Sequence, residues 1–125
     1  MPKTLIKSRS KAYKLQLGRC IYCELPMWLD NPEAFAKKHK ISINGASLFK
    51  CTAEHLLARQ DGGKDVESNI VAACQFCNQK RHHCKKPKDP ISFKRFVSTR
   101  LSKGRWNAVL IVKGRASQNI DHLLG

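Results

Sequence analysis

Residues 51–81 read CTAEHLLARQDGGKDVESNIVAACQFCNQKR, and the order of features in this stretch decides the fold. Residues 48–54 read as a strand, and a polar excursion over residues 58–69, holding the Gly62-Gly63 pair, follows it as a long loop. The apolar run Ile70-Val71-Ala72-Ala73 then returns as a second strand, and residues 74–84 continue as a helix. Strand, loop, strand and helix in succession describe a small α+β unit.

Working outward, the helix opens on Cys74-Gln-Phe-Cys77, and a second pair, Cys20-Ile-Tyr-Cys23, lies upstream. Two CxxC pairs are the spacing that lets four thiolates reach one tetrahedral zinc ion. The 50 residues between the pairs exceed the span of a simple zinc ribbon, so the metal is expected to clip distant segments together as a structural site. A thioredoxin-like redox role is the rival, but neither pair follows a strand in a βαβ pattern and there are two of them. A single knuckle built on Cys74, Cys77 and His82 is a further alternative, although Pro87 stands where its last cysteine would be needed. Cys51 and Cys84 are left over and receive no role.

The chain has 125 residues, the size of one domain, and 24 Lys and Arg against 9 Asp and Glu give a formal charge of +15. Such self-repulsion calls for a polyanionic partner, and nucleic acid is the expected one. A ribosomal or chromatin-type binder would carry the same charge, which is silent on catalysis. No stretch approaches the roughly 20 apolar residues of a membrane span, and the basic start, residues 1–10, lacks the apolar run of a secretory signal. The expectation is a soluble, cytoplasmic protein without a membrane partner, in which reduced cysteines favour metal ligation over disulfides.

The flanks carry weaker signals. Residues 1–18 mix Leu5, Ile6, Tyr13, Leu15 and Leu17 with five Lys and Arg from Lys3 to Lys14, a basic N-terminal arm or partly helical extension with no fold of its own. Asn31-Pro32-Glu33 reads as N-cap, first-turn proline and first-turn acid of a helix running to about residue 40, with Phe35 on its buried face. Asn44-Gly45 reads as a turn or hairpin before the first strand. Asp89-Pro90 opens a further helix with Phe93, Phe96, Val97 and Leu101 at helical spacing and Lys94, Arg95 and Arg100 on its remaining face. Residues 108–112, Ala-Val-Leu-Ile-Val, fit either a buried strand or a continued helix. There is no internal repeat.

The acid-His pair Glu54-His55 ending a strand, the Gly-Gly loop, Ser68-Asn69 before an apolar strand, and CxxC followed directly by Asn78 and then Arg81 occur together. In that combination, over residues 20–84, the chain resembles the HNH endonucleases. The resemblance implies one domain over residues 1–125: a ββα-metal core stapled by a four-cysteine zinc, with a C-terminal helical extension over residues 89–125. It further implies an endonuclease hydrolysing DNA phosphodiester bonds, with His55 as general base and Glu54 and Asn78 supplying oxygens to one divalent cation.

With Asn78 in the third motif position, the chain looks like the family's HNN variant, and an amide oxygen is a hard ligand suited to Mg2+ or Mn2+. Glu54 stands where the family more often has Asp. Asn69 corresponds to the central Asn that holds the loop and orients the histidine, although Asn at a turn is also explained by local hydrogen bonding. Arg59 and Arg81 sit where relatives carry basic residues near the scissile phosphate, and each is also readable as surface charge. His82, one helical turn after Asn78, is left outside the site as a solvent-facing residue. Double-stranded DNA is the expected partner, and a double-strand cut by a one-metal site leaves a homodimer open. The main alternative is a non-catalytic, zinc-stabilised nucleic-acid-binding module, which needs the same charge and cysteines but not Glu54, His55 and Asn78 together. A zinc deaminase and a zinc protease are set aside, since neither the deaminase spacing of His and Glu nor an HExxH helix is present.

Overall fold

Two five-residue strands form the sheet: β1 (Cys51–His55) and β2 (Ile70–Cys74) pair antiparallel, with Cys51 opposite Cys74 and His55 opposite Ile70. The structure, a computed structural model, describes residues 1–107 and 120–124, so the apolar run 108–112 lies outside the described residues. Every residue of β2 is buried, as its continuous Ile-Val-Ala-Ala-Cys run requires of a strand covered on both faces. The helix expected after it, Gln75–His82, begins at once, because Cys74 ends β2 in extended geometry and its Sγ accepts from the Cys77 N–H as an N-cap.

Of the two readings of the N-terminal segment, a basic arm or a partly helical extension, the structure has the helical one. Lys3–Leu15 is a regular helix, α1, that packs across both strands, burying Leu5 and Ala12. Leu17 and Gly18 in left-handed geometry end it. Just beyond, the buried Gln16 amide pairs with the backbone of Ala72, accepting from its N–H at 2.9 Å and donating to its carbonyl at 2.8 Å. That side chain shares the outer edge of β2 with the Ile21 N–H, which also donates to the Ala72 carbonyl at 3.0 Å, and gives the buried Ala72 N–H its acceptor.

The helix capped by Asn31 is present as α2 (Pro32–His39): its Oδ1 accepts from Ala34 N, Phe35 is buried, and Lys40 in left-handed geometry closes it. Asn44-Gly45 is not a hairpin turn. Ser42 caps the Gly45 N–H, and residues Ile43–Ser47 form the short helix α3, with Ala46 buried in the core. The strand expected from residue 48 therefore starts three residues later. The Gln75–His82 helix is α4, and α5 (Pro90–Ser102) is capped by Asp89 with Pro90 in its first turn, as expected. Lys94 is not on an outer face. It is buried, and its ammonium donates to the Ile21 carbonyl at 2.6 Å and pairs with Glu24 at 3.2 Å, tying α5 to the first cysteine pair.

Among the described residues no helix is long and apolar enough to cross a membrane. One hydrophobic core joins the four cysteines to Tyr22, Phe49, Phe93, Val97 and Trp106.

Candidate active site and metal cluster

The two CxxC pairs converge. The sulfurs of Cys20, Cys23, Cys74 and Cys77 lie within 4.8 Å of one another, all fully buried, and Cys23 and Cys74 are 3.9 Å apart. Four sulfurs at about 2.3 Å around a tetrahedral ion stand about 3.8 Å apart, so the cluster fits a zinc ion. The electrostatics agree. Against the desolvation of burial, hydrogen bonds from Cys23, Cys74 and Cys77 hold the Cys20 thiol well below the usual range. The Cys74 thiol, chiefly through its hydrogen bond with Cys20, and the Cys77 thiol, chiefly through burial, are pushed well above it. Cys20 is thus favoured as a thiolate while Cys74 and Cys77 resist ionisation beside it, and a divalent cation would remove that resistance. The Trp106 indole N–H, 3.3 Å from Cys77 Sγ, adds a donor to the cluster.

The second centre lies in a cleft of about 380 Å³ at the outer end of β1, lined by Thr52, Glu54, His55, Arg59, Asn78 and His82, with Met1 and, from α1, Leu5 also lining it. Glu54 is the residue of this cleft whose position is most constrained. It is 1% exposed, and its two oxygens face different company. Oε2 accepts from the Tyr22 hydroxyl and from Arg81 Nη1, each at 3.0 Å. Oε1 meets His82 Nε2 at 2.8 Å. Two donors thus hold Oε2 and leave Oε1 as the oxygen facing the cleft. Burial, with the nearby Glu54 charge, pushes the Tyr22 phenol far above its ordinary range, so it stays a donor at any working pH.

Asn78 is on the same face of α4 as His82, one turn earlier, and its Nδ2 donates to Thr52 Oγ1 at 2.9 Å. The Thr52 hydroxyl already donates to the Ala73 carbonyl at 2.6 Å, so it must accept from Asn78. This assigns the amide orientation and leaves Asn78 Oδ1 as the end available to a cation. Two ligands in neighbouring positions of an octahedral ion at about 2.1 Å lie about 3.0 Å apart. Glu54 Oε1 and His82 Nε2 are 2.8 Å apart, close to that figure, and Asn78 lines the same cleft.

His55, the last residue of β1, has its Nε2 2.7 Å from Asp65 Oδ1. Asp65 also takes Arg59 Nε at 3.1 Å and Nη2 at 2.9 Å. These hydrogen bonds, led by that of His55, hold its carboxyl below the usual carboxylate range. Asn69 braces the loop between: its Oδ1 accepts from Leu57 N at 2.8 Å, and its Nδ2 donates to the Leu57 and Lys64 carbonyls, each at 3.0 Å. Gly63 lets the loop close on itself, since a Cβ there would overlap the Leu57 carbonyl oxygen, and Gly62 turns at φ +94°.

The structure therefore brings Glu54, His55, Asn78 and Arg59 to one cleft and puts Asn69 behind the loop that forms its rim. Arg81 is elsewhere than expected. It is 5% exposed and turned inward, and Nε, Nη1 and Nη2 are all engaged, with Lys88 O, Glu54 Oε2, His55 O and Leu56 O. A guanidinium so committed positions Glu54 and is not presented to a phosphate. His82, set aside as solvent-facing, lies instead against Glu54; its spacing of four from Asn78 on one helix was the available signal. Tyr22 and Asp65 were also missed. One is an unremarked residue inside a CxxC pair and the other a loop acid with no motif around it.

Comparison with known families gives one match: the family model of HNH endonucleases covers residues 20–84, a little over half of the chain. The matched span takes in both cysteine pairs, the sheet and α4. No curated protein and no solved structure gives a match.

Proposed function

We infer that this chain, which belongs to the HNH endonuclease family, hydrolyses phosphodiester bonds of DNA with His55 as its general base. The observation that carries the reading is the convergence of Glu54, His55, Asn78 and His82 on one cleft, three of them through separate local reasons: a strand end, a helix face and a buried ion pair. A binding module without catalysis needs the charge and the cysteines, but gains nothing from burying a carboxylate against a cleft histidine.

Hydrolysis asks four things of these residues. A neutral imidazole can accept a proton from water, so His55 takes that proton as the water oxygen bonds to phosphorus. The bond from phosphorus to the 3′ oxygen breaks, and that oxygen gains a proton from solvent, giving a 5′-phosphate and a 3′-hydroxyl. Glu54, Asn78 and His82 would be the residues to hold a cation in the cleft, and Arg81 with Tyr22 holds the other carboxylate oxygen of Glu54 inward. A Mg2+ or Mn2+ ion held there would supply charge neutralisation for the phosphate in the transition state. Glu at position 54, with one methylene more than Asp, reaches the inward donors and the cleft at once.

Zinc in the Cys20, Cys23, Cys74, Cys77 cluster is structural in this reading, and the +15 charge supplies affinity for duplex DNA irrespective of sequence. Cutting both strands at once with one cation per site would take two copies of the chain, whereas a single copy would nick one strand at a time. The test is magnesium-dependent nicking of supercoiled plasmid. His55→Ala should reduce it by about 10²–10⁴-fold, the usual worth of a general base, with bound zinc and helix content unchanged. Undiminished cutting by that variant overturns the assignment.

A further inference from the structure

We propose that Asp65 is a positioning residue for hydrolysis: its carboxylate accepts the Nε2–H of His55, which leaves Nδ1 as the nitrogen that receives the proton from water. The inference rests on His55 being the base. It assigns a role to a loop acid that the HNH motif residues do not include.

The geometry is local and over-determined. Asp65 Oδ1 lies 2.7 Å from His55 Nε2, shorter than a typical neutral contact and in the range of a charge-assisted bond. An ionised carboxylate is an acceptor only, so the shared proton belongs to the imidazole, and the neutral ring must be the Nε2–H tautomer. A ring free to exchange tautomers would offer water an N–H in part of its population. Fixing the tautomer removes that unproductive fraction, as orienting carboxylates do for histidine bases generally.

Three supports hold Asp65 where it can act. Arg59 grips it with Nε and Nη2, so the carboxylate cannot swing away without breaking two charge-assisted bonds. Asn69 ties Lys64, the residue before Asp65, to Leu57 on the other side of the loop. Gly63 allows the close approach of chain that makes this possible. Arg59 is thereby assigned to Asp65 instead of the phosphate, and the Gly-Gly loop gains a purpose: it returns an acid to the histidine ten residues before it.

Two measurements on the zinc-loaded protein decide the matter. The first is 15N NMR of the His55 ring at about pH 8, above the ordinary imidazole range, with the His55→Ala spectrum identifying its signals among the five histidines. Wild type should show the Nε2–H tautomer, and Asp65→Ala should show a mixture. A wild-type ring protonated on Nδ1, or an unchanged ring in Asp65→Ala, overturns the proposal. The second is steady-state cleavage. Asp65→Asn, in which the amide can turn its NH2 toward Nε2 and favour the opposite tautomer, should lower kcat by about 10–100-fold with KM within about twofold, a smaller loss than the ~10⁴ known for a buried triad acid. Asp65→Glu should recover part of the loss. A kcat within twofold of wild type in Asp65→Asn also overturns it, as does a loss that falls on KM alone. Failure of the underlying reading is separable, because it shows as retained cutting by His55→Ala whatever the tautomer of the ring.

Discussion

Removing the Arg81 side chain should be among the most damaging single changes available in this protein. Arg81 and Glu54 are both buried, and the guanidinium makes four contacts at 3.0–3.3 Å, one to Glu54 Oε2 and three to backbone carbonyls of His55, Leu56 and Lys88. Arg81→Met keeps much of the aliphatic stem and deletes every donor. Glu54 would then remain buried as an anion with the Tyr22 hydroxyl and His82 as its partners. Breaking a buried ion pair by removing one member costs about 3–5 kcal/mol, because the survivor loses its compensation without regaining water. Domains of this size are stable by about 5–15 kcal/mol in total, so the loss is a large share of the whole.

The assay is urea unfolding of the zinc-loaded protein, followed through Trp28 and Trp106, for wild type, Arg81→Met, Glu54→Gln and the double variant. If the cost of Arg81→Met is the stranded carboxylate, Glu54→Gln relieves it, and the double variant should be more stable than the sum of the single losses by about 2–3 kcal/mol. Arg81→Lys should fall between, since an ammonium keeps the charge but not the fork that reaches the carbonyls. A loss below about 1 kcal/mol for Arg81→Met, or an additive cycle, would refute the view that Arg81 fixes Glu54. Glu54 would then be free to turn either oxygen toward the cleft.

Gly63→Ala should destabilise the protein by about 1–3 kcal/mol and slow cutting, because its Cβ would overlap the Leu57 carbonyl oxygen and push out the loop that carries Asp65; wild-type unfolding by that variant would contradict the loop geometry. Cys74→Ser should abolish stoichiometric zinc in elemental analysis and lose the cooperative thermal transition, since it removes one thiolate of the cluster while a serine can still cap α4; a zinc-bound, cooperatively folding variant would count against the structural role. In native protein, Cys84 should alkylate rapidly and Cys51 not at all, as read by peptide mass spectrometry, because Cys84 is exposed whereas burial pushes the Cys51 thiol up to about 12. The Cys51 shift has a sign for stability. Its contribution is complete below the unfolded thiol value near ~8.5 and is lost as pH rises from there toward 12, so Cys51→Ala should flatten alkaline unfolding. Affinity for duplex DNA should drop steeply as salt rises, and a flat response would remove the electrostatic basis of binding.

Features set by local chemistry were legible in the sequence. Asn31 and Asp89 cap helices at the positions their sequences indicate, the all-apolar 70–73 run is a buried strand, and the paired cysteines meet at one point. Each depends on neighbours within a few residues or on a ligand spacing that one ion imposes. Features set by long-range polar pairing were not legible. Gln16 meets Ala72 across 56 positions, Lys94 meets Ile21 across 73, and Tyr22 meets Glu54 across 32. In a chain so rich in lysine and arginine, charge reads as surface by default, and nothing in the spacing of Arg81 or Lys94 marks the two that are drawn inside to satisfy a buried acid and a knuckle carbonyl. Asn44-Gly45 failed for a different reason. The pair is a common hairpin turn, but Ser42 two residues earlier offers a helix cap, and burying Ala46 favours the helical alternative.

The cysteine cluster and the cleft are usually thought of as scaffold and machine, but here the same short segments belong to both. Tyr22 sits between Cys20 and Cys23, so the backbone turn that presents those two thiols to a metal also sets where the phenol points, and the phenol donates to Glu54 Oε2. Cys74 and Cys77 occupy the N-cap and first turn of α4, the helix whose later turns carry Asn78, Arg81 and His82. An ion that fixes the four sulfurs therefore fixes both the residue that holds Glu54 from below and the helix that holds it from the side. Loosening the knuckle would displace Tyr22 and α4 relative to β1 and free the carboxylate to rotate, even with every catalytic side chain still present. On the proposed reading, zinc in the four-cysteine cluster would therefore act on catalysis through the orientation of one carboxylate, a buried acid close to the four thiols.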